Sequence, residues 1–89
     1  MAKLDMQWLE DFILVAESHN FTSAAQVRGV SQSQVSRNIQ HLESYLNVAL
    51  FERTPGWFRL TEQGNLFLKT AKSVTEQLRS AEERLKLSG

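Results

Sequence analysis

The segment from Val30 to Asn47 limits the possible folds more than any other part of this 89-residue chain. Ser31 is a typical helix N-cap, and Gln34 three positions later completes the pattern of a capping box. The apolar residues that follow are separated by four, three and four positions, and these are Val35, Ile39, Leu42 and Leu46. Such spacing places them along one side of a helix. The sequence therefore predicts a helix over residues 31–47 with one buried side, ending at Asn47.

The opposite side of this helix carries hydrogen-bonding groups and no carboxylate. Its members are Gln32, Ser33, Ser36, Arg37 and Gln40. Side chains of these types donate to phosphates, and they donate and accept at base edges in the major groove of DNA. No Asp or Glu occurs between Ser18 and Leu42, so the surrounding window is free of acidic charge. An ordinary solvated helix surface has similar chemistry, and this face by itself leaves both interpretations open.

The residues before this helix predict a helix-turn-helix. Thr22 is a candidate N-cap for a short helix that runs to Arg28. Ala24 and Ala25 at its centre let another helix approach closely, and Gly29 suits a sharp bend with positive φ. A short helix, a glycine turn and a capped second helix form the helix-turn-helix arrangement. A plain helical hairpin within a bundle is the alternative interpretation.

The chain begins with another predicted helix. Asp5 is its expected N-cap, and His19 and Asn20 end it, because asparagine tolerates the left-handed conformation common at helix ends. Its expected buried residues are Leu9, Phe12, Ile13 and Ala16. Its acidic residues, which we expect in solvent, are Glu10, Asp11 and Glu17. No paired-carboxylate chemistry is expected from them.

A two-stranded ribbon is predicted over residues 50–60. Two short segments rich in aromatic and apolar residues form it, namely 50–53 and 57–60. Pro55 and Gly56 between them fit the central positions of a type II turn. A ribbon directly after a helix-turn-helix is a wing, and Arg53 and Arg59 on it are candidates for contacts with phosphates. The alternative is that both are ordinary surface arginines, one of them paired with Glu52.

The last predicted helix is long and has a narrow apolar seam. Thr61 caps it, and it runs to about Leu87. Its apolar residues recur at steps of four, three, four, three and four, and they are Phe67, Ala71, Val74, Leu78, Ala81 and Leu85. A heptad seam that continues past a small domain needs a partner helix, so we expect residues 61–89 to form a homodimer. Packing of the seam on its own domain accounts for its first half alone.

The composition argues against catalysis. The chain has no Cys and two His, and the latter, His19 and His41, lie near the ends of different predicted helices. No glycine-rich phosphate loop and no metal-ligand spacing occurs. We therefore expect neither an enzyme nor a cofactor or metal. The longest apolar run, Phe12–Ala16, is far too short to span a membrane, and the absence of Cys suits a reducing cytoplasm.

Charge leaves a second functional class open. The formal net charge is zero, whereas nucleic-acid-binding domains are commonly basic. A winged helix used only for protein–protein contact fits that neutral balance. Arg37, Arg53 and the acid-free window favour DNA instead.

Together these segments resemble the N-terminal DNA-binding region of LysR-type transcriptional regulators. The stretches that carry the resemblance are Leu9-x-x-Phe12, Phe21-Thr22-x-Ala24-Ala25, Val30-Ser31-Gln32-x-x-x-Ser36-Arg37-x-Ile39-x-x-Leu42-Glu43, Leu50-Phe51-Glu52-Arg53 and Leu60-Thr61-Glu62-x-Gly64. The resemblance implies an all-α fold with a small β-wing: a winged helix-turn-helix over residues 1–60, then a linker helix over 61–89 that pairs antiparallel with that of a second subunit. It also implies a following effector-binding domain that assembles tetramers, so we expect the chain to be a fragment.

The resemblance also implies roles for individual side chains. The residues expected to face the major groove are Gln32, Ser33, Ser36 and Arg37. Those expected to hold phosphates are Thr22 and Ser23, through hydroxyl and backbone N–H groups, together with Gln40, Arg53 and Arg59. Such a dimer is expected to bind an interrupted inverted repeat in double-stranded DNA, because two-fold protein symmetry asks for two half-sites.

Three positions depart from the family pattern. Ser33 stands where proline is frequent and adds a hydroxyl. Arg28 stands where an apolar residue is usual, so either the packing differs there or its stem lies along the core with the charge outside. The wing tip, Pro55-Gly56-Trp57, lacks the usual Arg or Lys, so we expect weaker binding by this wing.

Overall fold

The computed structural model describes the backbone of residues 3–54 and 57–88, and the side chains of all of these except residues 53, 54, 57, 58 and 88. The elements run in the order α1 (Met6–Ser18), α2 (Phe21–Arg28), α3 (Gln32–Leu46), β1 (Phe51–Thr54), β2 (Trp57–Leu60) and α4 (Glu62–Ser88). The strands are antiparallel, with Phe51 opposite Leu60. This is the predicted architecture, mostly helical with a small wing and a long C-terminal helix. The predicted Pro55-Gly56 turn lies outside the described residues.

The core lies where α1, α2 and α3 meet the base of the wing and the first half of α4. The fully buried apolar residues of α3 are Val35, Ile39 and Leu42, as its spacing predicts. On α1, Ile13 is half-buried although it is expected to be buried, and Val15, which is not among the expected buried residues, is fully enclosed. The Phe12 ring of α1 lies 5.5 Å from that of Phe51 and 5.7 Å from that of Phe67, measured between centroids. Aromatic contacts thus join α1 to the wing and to α4.

Side-chain caps begin three of the helices as predicted. The side-chain oxygens of Asp5, Ser31 and Thr61 accept hydrogen bonds from backbone N–H groups in the first turns of α1, α3 and α4, at 2.8, 3.1 and 2.9 Å. These bonds satisfy donors that have no partner within a helix. Gln34 does not complete a capping box, because its Nε2 donates instead to Asn38 Oδ1 at 2.9 Å.

The boundary between α1 and α2 differs from the prediction. Asn20, not Thr22, caps α2: its Oδ1 accepts from the backbone N–H groups of Thr22 and Ser23, at 2.7 and 3.2 Å. His19 rather than Asn20 adopts the left-handed conformation that ends α1, with a φ of 57°. The two helices are so close in sequence that one residue must stop the first while the next caps the second. Asparagine is a stronger N-cap than threonine, so Asn20 rather than Thr22 caps α2.

The turn of the helix-turn-helix closes as predicted. Gly29 has a φ of 71°, and the N–H of the following Val30 donates to the carbonyl of Ala25 at 3.1 Å. Asn47 ends α3 in the same left-handed conformation, with a φ of 57°. Glycine and asparagine are the residues that adopt this conformation most readily at helix ends.

Asp11 is fully buried, although the sequence predicts it in solvent beside Glu10 and Glu17. Its carboxylate accepts one hydrogen bond from Arg28 Nε and another from Asn38 Nδ2, the latter at 2.7 Å. The Arg28 guanidinium also lies 4.0 Å from the carboxylate of Glu10. Arg28 therefore occupies an apolar position of the family pattern by pairing with a buried acid. This pair and the Asn38 amide join α1, α2 and α3 at one point.

The base of the wing is held by backbone groups. Glu43 Oε2 accepts from the N–H groups of Leu50 and Phe51 at 2.7 and 3.3 Å, which ties α3 to β1. The Thr61 N–H donates to the Leu50 carbonyl at 2.9 Å, which ties α4 to the same point. A side chain at Gly64 would place its Cβ 2.1 Å from that carbonyl oxygen. The residue at position 64 therefore has no room for any side chain.

The helix α4 is 27 residues long, and only its first half packs in the core. Ala71 is fully buried, and the Phe67 ring packs on Phe12 of its own chain. Ala71 is therefore enclosed by its own domain and has no surface left for a dimer contact, whereas the dimer contact predicted for the half-buried Phe67 stays a prediction. Lys72 pairs with Glu17 at 2.8 Å and fastens α4 to α1. Within the described ranges, no helix is long and apolar enough to cross a membrane.

Replacement of Arg28 by leucine is expected to destabilise the fold by about 3–5 kcal/mol, because the Asp11 carboxylate stays buried without its cation. Adding Asp11→Asn removes the buried charge and keeps an acceptor for Asn38, so the double variant should regain most of that loss. Urea unfolding followed by circular dichroism measures both free energies. A double variant no more stable than Arg28→Leu would contradict the buried ion pair.

The substitution Gly64→Ala is expected to destabilise the fold by about 1–3 kcal/mol through overpacking against the Leu50 carbonyl. Helix propensity alone predicts the opposite sign, a gain of up to about 1 kcal/mol. The matched control is Gly29→Asn, since nothing lies within 4 Å of a Cβ at that position and asparagine tolerates its positive φ. Thermal unfolding of both variants decides the sign, and a stabilised Gly64→Ala would refute the close approach.

Candidate nucleic-acid interface

The turn between α2 and α3 leaves one side of α3 open to solvent. We call this side the α3 outer face, and it consists of Gln32, Ser33, Ser36, Arg37 and Gln40. All are exposed except Ser36, which is half-buried. Together with Phe21 at the start of α2, they line a shallow depression of about 450 Å³. The side chains predicted for base reading thus form one continuous surface.

Arg37 is the one charged group in the lining of this depression. Its side chain is exposed, and among the described residues it has no ion-pair partner. An unpaired guanidinium carries five N–H donors in a planar fork, which matches the O6 and N7 acceptors of guanine or a phosphate. The outer face therefore combines one free cation with neutral donor and acceptor groups.

The N-terminus of α2 is a weaker phosphate site than the sequence predicts. The backbone N–H groups of Thr22 and Ser23 both donate to Asn20 Oδ1. Because the cap already uses these donors, they are not free to hold a phosphate as a helix N-terminus otherwise does. The hydroxyls of Thr22, which is exposed, and of Ser23, which is half-buried, are what remains for that role.

Thr22 and Gln32 meet across the turn. Gln32 Nε2 donates a hydrogen bond to Thr22 Oγ1. The residue expected to hold a phosphate and the first residue expected to read a base are therefore in direct contact. Sequence spacing gives no sign of this pair, because the two positions lie in different helices.

Of the two arginines on the wing, only the side chain of Arg59 lies within the described structure. Arg59 lies opposite Glu52 in the strand register, and its Nε donates to Glu52 Oε2 at 2.7 Å. Both side chains are exposed, and an exposed ion pair contributes only about 0–1 kcal/mol. The ion pair with Glu52 therefore holds the Arg59 side chain only weakly. The backbone of Arg53 lies in β1, whereas its side chain and the tip residues Pro55-Gly56-Trp57 lie outside the described side chains.

The side chain of His41 packs against an aromatic ring. Its imidazole stacks on the indole of Trp8, with centroids 5.5 Å apart, and Tyr45 meets the same indole edge-on at 6.3 Å. Trp8 thus has neighbours from α3 on its ring and does not form an open stacking platform for a base. No group of three or more His, Cys, Asp or Glu suited to a metal lies within the described part of the chain.

The second half of α4 exposes an apolar stripe. Val74, Leu78 and Leu85 are 44%, 46% and 72% exposed, and Ala81 between them is also exposed. Leu78 lies at a groove whose apolar lining on α1 includes Ile13 and Leu14. These four residues of the predicted seam remain available for a partner.

Asn38 and Asp11 are the main residues that sequence reasoning missed. The amide of Asn38 lies between the Asp11 carboxylate and the side chain of Gln34, so it orients the first turns of α3. Apolar periodicity contains no signal for either residue. The arginine at position 28 is a signal, because a cation at a core position requires a buried acid nearby.

Known proteins resemble this chain in sequence. Residues 6–65 match the family described as bacterial regulatory helix-turn-helix protein, lysR family. The chain is 38% identical over 77 residues to HTH-type transcriptional regulator YjiE of Escherichia coli (strain K12), an overlap of 86% of this chain and 25% of that protein. It spans about a quarter of the length of the curated relatives it matches.

Solved structures resemble it in fold. Vibrio fischeri DarR, in a structure with DNA, superposes with a TM-score of 0.88 at 33% identity, over 96% of this chain and 29% of that one. CbnR_DBD in its complex with DNA superposes with a TM-score of 0.86 at 34% identity, over 94% of this chain and 97% of that one.

Proposed function

We infer that α3 reads base sequence in the major groove of DNA, because this chain belongs to the lysR family of bacterial regulatory helix-turn-helix proteins and has the fold of their DNA-binding domains. The observation that carries the proposal is the α3 outer face. It presents an unpaired Arg37 among neutral hydrogen-bonding groups, with no carboxylate, on the second helix of a helix-turn-helix. The second helix of this motif is the one that enters the major groove.

Each side chain of the α3 outer face has a chemical role in this proposal. Arg37 donates to guanine or to a well-placed phosphate, and Gln32 pairs an acceptor and a donor with a base edge. Ser33 and Ser36 add hydroxyls that accept or donate according to the base they meet. Gln40, one turn further along, contacts the backbone at the edge of the groove.

Phosphate contacts surround this reading surface. The hydroxyls of Thr22 and Ser23 donate from the start of α2, and Arg53 and Arg59 approach the backbone from the wing. Arg59 leaves Glu52 when it meets a phosphate. Because few cations are involved, we expect modest binding to random DNA, and the geometry of the site must supply most of the affinity.

A homodimer supplies that geometry. The exposed stripe of α4 residues, Val74, Leu78, Ala81 and Leu85, pairs antiparallel with the same stripe of a second subunit. Two-fold symmetry then presents two α3 helices to two half-sites, as an interrupted inverted repeat requires. A full-length regulator that contains this domain assembles such dimers into tetramers in the cytoplasm, where it controls transcription.

A winged helix that binds only another protein is the second candidate. The zero net charge and the Arg59–Glu52 ion pair on the wing favour it, since both reduce the attraction to phosphates. The absence of acidic residues from the α3 outer face opposes it.

Fluorescence anisotropy on duplex DNA across a salt series tests the proposal. The two duplexes are an interrupted inverted repeat selected from a random pool by this protein and a scrambled control. We expect preference for the selected repeat and a binding constant that falls as the salt concentration rises. Arg37→Ala should weaken binding to the repeat by about 1–3 kcal/mol, because it removes a base or fixed phosphate contact.

Arg84→Ala is the matched control, since it removes the same charge from an exposed position in the second half of α4. Equal losses from both variants would assign the effect to overall charge and not to the α3 outer face. An absence of binding to either duplex at low salt would favour the protein-contact function.

The dimer is tested by Leu78→Glu, which places like charges in the stripe of both subunits. We expect monomers in sedimentation velocity and much weaker binding to the full repeat, with the affinity for a single half-site retained. The control is Leu66→Glu, which introduces the same charge on the same helix at a residue that is 63% exposed but lies off the stripe. A Leu78→Glu protein that remains dimeric would remove α4 from the interface.

A further inference from the structure

We propose that Thr22 is a positioning residue for Gln32, so that the contact of Thr22 with a phosphate selects the base that Gln32 reads. The inference rests on the proposed DNA-binding function and names a determinant of its specificity. It follows from the hydrogen bond between Gln32 Nε2 and Thr22 Oγ1.

Both ends of this hydrogen bond are anchored. Thr22 lies in the first turn of α2, where its N–H donates to Asn20 Oδ1 at 2.7 Å, and its β-branched side chain has restricted χ1 freedom. Gln32 is the first residue of α3, directly after the Ser31 cap. The terminal amide of glutamine otherwise turns with little resistance, because its last torsion is broad and roughly two-fold. Thr22 is therefore the group that decides which way this amide points.

The chemistry of a hydroxyl couples the two contacts. A threonine hydroxyl has one hydrogen to donate, and in the described structure that of Thr22 has no acceptor within the protein. Once the hydrogen is given to a phosphate oxygen, Oγ1 can only accept from its other neighbour. The amide must then keep Nε2 towards Thr22, because the reversed amide would place Oε1 against the lone pairs of Oγ1.

This orientation determines what Gln32 offers to the groove. One Nε2 hydrogen is used by Thr22, which leaves Oε1 and the second Nε2 hydrogen side by side on an exposed side chain. An acceptor next to a donor matches the N6 hydrogen and the N7 of adenine. The structure thus assigns an adenine preference to the base that Gln32 meets, maintained by a residue that touches no base.

The test compares five proteins: the wild type, Thr22→Val, Thr22→Ser, Gln32→Ala and the double variant that combines Thr22→Val with Gln32→Ala. Valine keeps the shape of threonine without the hydroxyl, and serine keeps the hydroxyl. Each protein is titrated with a set of duplexes in which every position of the selected half-site carries each of the four bases. Circular dichroism and thermal unfolding establish that all five proteins fold alike.

We expect one half-site position at which the wild type prefers adenine by roughly 10–100-fold, as a good bidentate pair gives. Thr22→Val should reduce that preference to within about threefold at this position alone, and Thr22→Ser should restore it. In a Gln32→Ala background, Thr22→Val should change affinity for all duplexes equally and leave no preference to lose. The salt dependence should stay unchanged, because a neutral hydroxyl releases no counterion.

Two results would overturn the inference while the DNA-binding proposal stands. One is a Thr22→Val protein that binds every duplex more weakly but keeps its base preference, which would make Thr22 a phosphate contact only. The other is a Gln32→Ala protein with an unaltered preference at every position, which would show that Gln32 reads no base. Failure of the wild type to bind any duplex would overturn both proposals.

Discussion

The buried carboxylate of Asp11 is the constraint on which the arrangement of the first three helices depends. A charge taken out of water is costly unless it is paired and hydrogen-bonded, and Asp11 meets this requirement with Arg28 from α2 and Asn38 from α3. Apolar side chains tolerate small shifts of one helix against another, whereas a charged hydrogen-bonded pair does not. The angle at which α3 projects from the domain is thereby coupled to α1, which carries no residue of the proposed interface.

A second set of polar contacts positions the wing and α4. The carboxylate of Glu43 accepts hydrogen bonds from the backbone N–H groups at the start of the wing. The Leu50 carbonyl accepts a hydrogen bond from the Thr61 N–H, and the backbone of Gly64 lies close to the same carbonyl. Three elements therefore converge on Leu50, which is itself fully buried. The wing cannot shift against α3 without breaking these bonds. A rigid frame of this kind holds the wing and α4 in fixed positions relative to the α3 outer face.

The zero net charge of the chain is compatible with the proposed binding to DNA. Long-range attraction to phosphates grows with net positive charge, and it supplies affinity without sequence preference. This chain has zero net charge, so its long-range attraction to random DNA is weak even though the α3 outer face is free of acidic residues. In the proposed function, specific contacts and the pairing of two subunits then carry a larger share of the binding energy. In the proposed function, the Thr22–Gln32 hydrogen bond links backbone binding to base reading.

The sequence by itself determined the local features of this protein: the caps at Asp5, Ser31 and Thr61, the glycine turn, the buried side of α3 and the pairing of the two strands. Each depends on residues close together in the chain, so spacing and residue type suffice. Tertiary structure alone decided the burial of Asp11, the contact between Thr22 and Gln32, and the point at which the α4 seam leaves the core. These depend on which groups other helices bring within hydrogen-bonding distance. A carboxylate on a helix has the same local signature in solvent and beside a buried arginine, and only the packed fold distinguishes the two.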